Sequence, residues 1–216
     1  MQSENNLPAV DILMERYPAL ESARASIRAA AQMIVDCYRA DGKVLTCGNG
    51  GSAADAEHIV GELMKGFLKK RPIEGALAES IKSAAPEHAD YLIGNLQVPL
   101  RALSLVNSVA LGTAFANDQA PELVFAQQVL GLGEAGDVLI GISTSGNSKN
   151  VLYAVEIAKA KGCKTIALTG AGGGKLKALA DITIEAPDTE TYRIQEYHLP
   201  IYHALCIAAE QAFFEK

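Results

Sequence analysis

Lys43-Val44-Leu45-Thr46-Cys47, then Gly48-Asn49-Gly50-Gly51-Ser52, then a helix-periodic stretch from Ala53 to Phe67, is the passage that decides the fold. A short β-branched run that stops at glycines and resumes with a 3.6-residue period reads as strand, loop and helix. The same grammar returns downstream. Asp137 to Ile142 is apolar and β-rich, Ser143-Thr144-Ser145-Gly146-Asn147-Ser148 is a loop, and Val151 to Lys161 is a helix closed by Gly162. Lys164 to Leu168 reads as a third strand, followed by Thr169 to Gly174 and a short helix through Ala180. Asp181 to Glu185 reads as a fourth strand, and Ile194 to Phe214 as a long C-terminal helix. Upstream, Ala19 to Ala40 carries Ile27, Ala31, Ile34, Val35 and Tyr38 at helical spacing and ends at Asp41-Gly42. Alternating strands and helices predict an α/β fold: a doubly wound, mainly parallel sheet flanked by helices, with ligands at the carboxyl ends of its strands.

Between Pro72 and Ala135 the pattern is broken by Pro86 and Pro99. Helices are expected around Glu87 to Ile93 and Glu122 to Leu130, with a strand near Ser104 to Leu111. No repeat or low-complexity linker divides the chain, and 216 residues suit one domain with helical additions.

Composition excludes more than it assigns. A net charge of -6 offers no general attraction to nucleic-acid phosphates, and Lys69-Lys70-Arg71 is too short a basic run to reverse it. Cys37, Cys47, Cys163 and Cys206 fall singly, without a CxxC pair, so they read as small core residues. The N-terminus, with Glu4, Pro8 and Asp11, lacks a basic region followed by an apolar run, and no stretch of about 18 residues is apolar throughout. A soluble, cytoplasmic protein without membrane association is expected.

The first loop places Gly50, Gly51 and Ser52 between a strand and a helix N-terminus, where backbone N–H groups and the helix dipole attract a phosphate or a sugar hydroxyl. It lacks the Gly-Lys-Ser/Thr of a Walker A loop. It is not GxGxxG either, because Ala53 stands where a third glycine is needed. A plain tight turn is the bland alternative. The second loop carries four hydroxyls, Ser143, Thr144, Ser145 and Ser148, where a helix cap needs one, which favours oxyanion binding over capping alone.

His58 and Glu62, four residues apart, share one helix face, and that spacing suits a metal or a paired base and acid as well as a surface hydrogen bond. Glu57 is rotated about 100° away and is expected in solvent. Gln195 and His203 are polar residues in the otherwise apolar last helix. A histidine satisfied by a carbonyl is the bland reading for His203. Eight residues span about 12 Å, so both side chains reach one metal only if they stretch, if Gln195 sits in a frayed first turn, or if a neighbouring subunit completes the site.

Cys47-Gly-Asn-Gly-Gly-Ser52, His58 with Glu62, Gly141-Ile-Ser-Thr-Ser-Gly-Asn-Ser148, Leu168-Thr-Gly170 and Arg193-Ile-Gln-Glu196 with His203 occur in one order. In that order the chain resembles the sugar isomerase (SIS) domain family, and within it the bacterial phosphoheptose isomerases. The match runs from about Ala31 to the C-terminus. The resemblance implies a single domain, conversion of sedoheptulose 7-phosphate to D-glycero-D-manno-heptose 7-phosphate, and a homotetramer with sites between subunits. It implies Glu62 and His203 as base and acid, and zinc (Zn2+) on His58, Glu62, Gln195 and His203. It also implies phosphate held by Ser52, Ser143, Ser145 and Ser148, and sugar contacts from Asn49, Asp118 and Thr144. Relative to the family there is an insertion over about 72–102 behind a helical extension over about 1–40. Gly66 stands where the family commonly has an arginine, so a substrate-binding charge is either missing or supplied by Lys65. The stretch from Pro187 to Tyr192 lacks an expected aspartate. The rival readings are a non-catalytic relative that binds a replication initiator, a sugar-phosphate-sensing regulatory domain and an isomerase of another phosphosugar.

Overall fold

The computed structural model describes residues 7–214, so Glu4 and the rest of residues 1–6, with 215–216, lie outside the described residues. Five strands form one parallel sheet: β1 (Val44–Cys47), β2 (Ala102–Ser104), β3 (Val138–Ile142), β4 (Lys164–Thr169) and β5 (Ile182–Glu185). Their order is β2-β1-β3-β4-β5, with Thr46 opposite Ser104 on one side and Ile140 on the other. The helices are α1 (Pro8–Arg16), α2 (Arg24–Arg39), α3 (Gly51–Met64), α4 (Gly75–Ala84), α5 (Ala89–Asn95), α6 (Val109–Asp118), α7 (Val124–Leu132), α8 (Lys149–Ala160), α9 (Leu176–Leu179) and α10 (Thr191–Phe214).

Side chains alternate across the sheet with the period of two that a pleated strand imposes. Val138, Ile140 and Ile142 of β3 enter a core built with α1, α2, α3 and α10. Leu139, between them, enters the opposite core with α7, α8 and α9. Both faces are therefore covered, as a parallel sheet requires. All four cysteines are buried free thiols, and no described helix is long and apolar enough to cross a membrane.

Three segments differ from the sequence reading. The strand expected near Ser104 to Leu111 ends at Ser104, and Val109–Asp118 is helix α6. Register explains the short strand: β2 is an edge whose pairs with β1 run only from Ala102 to Ser104. The upstream helix is interrupted, with α1 starting at Pro8, a 3-10 turn over Pro18–Ala23 and α2 beginning at Arg24. Within residues 72–102, Gly75–Ala84 is a helix that the sequence pattern did not mark, and the helix expected over Glu87 to Ile93 runs Ala89–Asn95 instead.

His198 of α10 is fully buried, and its Nε2 lies 3.1 Å from the Thr169 carbonyl at the end of β4. Burial disfavours its charged form and lowers its pKa to about 4, against the weaker opposing pull of that carbonyl. Below an ordinary value of about 6.5 the unfolded chain takes up this proton while the folded chain does not. Stability should therefore fall from about pH 6.5 to about pH 4, by about 3 kcal/mol in all. Urea unfolding across this range checks it: the His198→Gln variant should lose this part of the acid slope.

Candidate functional site

The sheet order changes direction between β1 and β3, and both strands deliver their loops at the same end, the crevice where doubly wound sheets bind ligands. Asn49 after β1 and Asn150 at the start of α8 clasp each other across that point, with Asn49 Nδ2 to Asn150 Oδ1 at 2.9 Å and the reverse bond at 2.8 Å. The proposed sugar contact Asn49 thus holds the two loops in register.

In the second loop, Ser148 occupies the N-cap position of α8 but makes no side-chain cap. Its hydroxyl pairs with that of buried Ser143 at 2.9 Å, which decides against the capping reading. Ser145 Oγ accepts the Asn147 N–H at 3.2 Å, and the Thr144 carbonyl accepts the Gly170 N–H at 2.8 Å. Ser52 is buried in the first turn of α3. Hydroxyls and two helix N-termini, without a cation inside either loop, gather neutral hydrogen-bond donors of the kind that can hold an anion.

Gly146 turns this loop at φ +65°, and a Cβ there would lie 2.0 Å from the Gly173 carbonyl oxygen. Gly146→Ala should cost at least about 1–2 kcal/mol from the left-handed backbone alone, read as a lowered thermal midpoint. An unchanged midpoint would mean that residue 146 does not hold the left-handed backbone in solution.

Helices α3 and α10 lie side by side and point the same way. Gln195 packs against Gly51, Tyr202 meets Asp55 and His58, and Glu210 takes the backbone N–H groups of Phe67, Leu68 and Lys69. The cluster at mid-helix is tight. His58 Nε2 lies 3.2 Å from Glu62 Oε1, and the His58 and His203 rings stand edge to face with centroids 5.1 Å apart. The pKa of His203 is lowered, first by burial and then by the neighbouring His58, against the pull of Glu62. A cavity of about 530 Å³ opens beside His203, bordered by Leu13, Arg16, Phe67 and Leu199.

Other sequence candidates are placed differently. Gln195 sits at the head of α3, away from Glu62 near its end. Asp118 is exposed at the end of α6, where its carboxylate accepts a hydrogen bond from Asn117 at 2.9 Å. Glu57 is exposed. Lys65 pairs with Glu62 Oε2 at 3.1 Å. Gly66 donates its N–H to Gln97 Oε1, and a Cβ at 66 would meet that oxygen and the Lys69 carbonyl, each at 2.4 Å. Gln97 and the Lys69 carbonyl therefore leave no room for a side chain at residue 66.

Arg71, read as part of a short basic run, is wholly buried. Its guanidinium pairs with Glu210 at 2.9 Å and donates to the carbonyls of Leu63, at 2.6 Å, and Glu62, at 3.4 Å. It thereby closes the end of α3 that carries Glu62. Burial opposes the Glu210 charge, but the Phe67 and Leu68 amides and Arg71 outweigh it and hold the pKa below the ordinary glutamate value.

Two imidazoles and a carboxylate, those of His58, His203 and Glu62, are donor types that suit zinc. His203 Nε2 is buried without a hydrogen-bond partner beside His58, as a ligand nitrogen awaiting a cation would be. Among the described residues, however, no three His, Cys, Asp or Glu side chains already converge as a cage.

The SIS domain family model matches residues 12–94 and 95–170. Phosphoheptose isomerase from a Nitratiruptor species is 43% identical over 193 residues, covering 89% of each chain. Among solved structures, phosphoheptose isomerase from Neisseria gonorrhoeae superposes with a TM-score of 0.71 at 36% identity, covering 91% of this chain and 94% of its own. That from Francisella tularensis gives 0.73 at 34%, covering 91% of each.

Proposed function

Because this chain belongs to the SIS domain family, among its phosphoheptose isomerases, we propose that it interconverts sedoheptulose 7-phosphate and D-glycero-D-manno-heptose 7-phosphate. The observation that carries the chemistry is Glu62, held beside His58 and His203 on the helix that follows the first anion loop. The phosphate binds Ser52, Ser143, Ser145 and Ser148 at the N-termini of α3 and α8. The Glu62 carboxylate removes a proton from C1 of the ketose while the carbonyl oxygen at C2 gains one, giving the enediol. Return of a proton to C2 and loss of one from the C1 hydroxyl gives the aldose, with His203 shuttling the oxygen-bound protons. The lowered pKa of His203 favours a neutral imidazole able to accept as well as donate.

Zinc would be held by His58, Glu62 and His203 and would supply positive charge near the developing enediolate; Gln195, packed at Gly51, would join them only by swinging away from there. A homotetramer fits the surroundings of His203. Ile12, Leu68 and Leu199 are exposed around its cavity, a rim that a second copy would cover. Cytoplasmic location is part of the same reading.

Incubating metal-replete protein with sedoheptulose 7-phosphate and following heptose phosphate formation tests the proposal. Turnover that disappears in Glu62→Gln or His203→Ala supports it. A folded, zinc-loaded tetramer that turns over another phosphosugar instead would overturn the heptose assignment, and one inactive on all of them would overturn the enzymatic reading.

A further inference from the structure

Between α3 and α10 lies a hydrogen-bonded chain that the proton transfers above do not use. Asp55 Oδ1 is 3.3 Å from the Tyr202 hydroxyl, and that hydroxyl is 2.9 Å from His58 Nδ1. Tyr202 is buried, and the second carboxylate oxygen of Asp55 is buried without a partner. The far nitrogen of His58, Nε2, faces Glu62 Oε1 at 3.2 Å.

A tyrosine hydroxyl has one hydrogen to give. If it went to His58 Nδ1, the Asp55 carboxylate would be left half-buried with no donor on either oxygen among the described residues, a costly arrangement. Given to Asp55, it leaves the hydroxyl oxygen as an acceptor facing Nδ1, which must then carry the imidazole proton. We propose that Asp55 and Tyr202 are positioning residues that hold neutral His58 as its Nδ1–H tautomer, with the Nε2 lone pair toward Glu62. A lone pair and a carboxylate facing each other at hydrogen-bond distance repel unless a cation lies between them. The chain therefore makes the His58–Glu62 pair a receptor for positive charge, whereas the other tautomer would spend the pair on a hydrogen bond with itself. A carboxylate reaching a ligand histidine through one hydroxyl does the same work as a carboxylate bonded to it directly. The tautomer is argued from the needs of Asp55 set against the hydrogen bond that an Nε2–H would make to Glu62, and only its consequence for zinc rests on the proposed function.

The chain has four histidines, so their ring nitrogens can be resolved by NMR on protein labelled with 15N-histidine, with His58 identified by its loss in His58→Gln. At about pH 8, above the ordinary histidine range, metal-free protein should show a protonated Nδ1 and a bare Nε2 at His58. Tyr202→Phe and Asp55→Ala should each move the proton to Nε2, and Tyr202→Phe should keep the fold by circular dichroism. A wild-type His58 protonated at Nε2, or one whose tautomer survives Tyr202→Phe, overturns the proposal. Titration with zinc alone against a chelator should show Tyr202→Phe weakened about 10–100-fold. A wild-type chain that binds no zinc while the tautomer still shifts removes the metal reading and leaves the positioning role standing.

Discussion

Glu62→Gln should lower turnover of sedoheptulose 7-phosphate by about 10²–10⁴-fold, the range that a positioned acid or base supplies. The substitution keeps the shape of the side chain and removes the basic oxygen. It also removes half of the His58–Glu62 pair and the partner of Lys65. The pair with Lys65 is exposed on the lysine side, so its loss should cost under about 1 kcal/mol. The loss should therefore appear in kcat/KM with the thermal midpoint nearly unchanged. Phosphate affinity, measured with inorganic phosphate, should not change, because the loops at β1 and β3 make no contact through Glu62. A Glu62→Gln protein retaining more than about a tenth of wild-type turnover would remove Glu62 as the base and shift the chemistry to His203.

Arg71→Met should have the largest effect on stability, about 3–5 kcal/mol, because it leaves the buried Glu210 carboxylate without its guanidinium. The same guanidinium holds the final carbonyls of α3, so the turn bearing Glu62 should loosen as well. Activity should fall by more than the folded fraction explains. The double variant Arg71→Met/Glu210→Gln separates the two effects. It removes the stranded charge and should regain part of the stability, while the α3 carbonyls stay without their donor and activity stays low. Urea midpoints of the two variants, with kcat on the folded protein, read both outcomes. A cost below about 1 kcal/mol for Arg71→Met would mean that water reaches this pair in solution.

Much of the candidate site was visible because its loops are local in sequence. Gly48 to Ser52 and Ser143 to Ser148 declare themselves by glycines and hydroxyls between a strand and a helix, and the structure places both at the predicted strand ends. The pairing of His58 with Glu62 is equally local, four residues along one helix. Asp55 carries no such mark. Its role depends on Tyr202, 147 residues later, and only the packing of α10 against α3 puts the two side chains together. Arg71 misleads for the same reason: beside two lysines it looks solvated, and Glu210, its partner, is 139 residues away. The segment over residues 72–102 was harder still. Gly75–Ala84 is helical, but of its residues only Ala78 is buried, so little of the core marks it.

By itself the sequence determined the alternation of strands and helices, the two loops rich in glycine and hydroxyls and the His58–Glu62 pair, because each depends on backbone propensity or on spacing within one element. The tertiary structure alone decided that Gln195 lies at Gly51 while His203 lies at His58, that Gln97 fills the space beside Gly66, and that Arg71 is buried. Those outcomes depend on the angle and offset at which distant helices pack. Such geometry is set by the shape of the whole core, and no local stretch of residues encodes it.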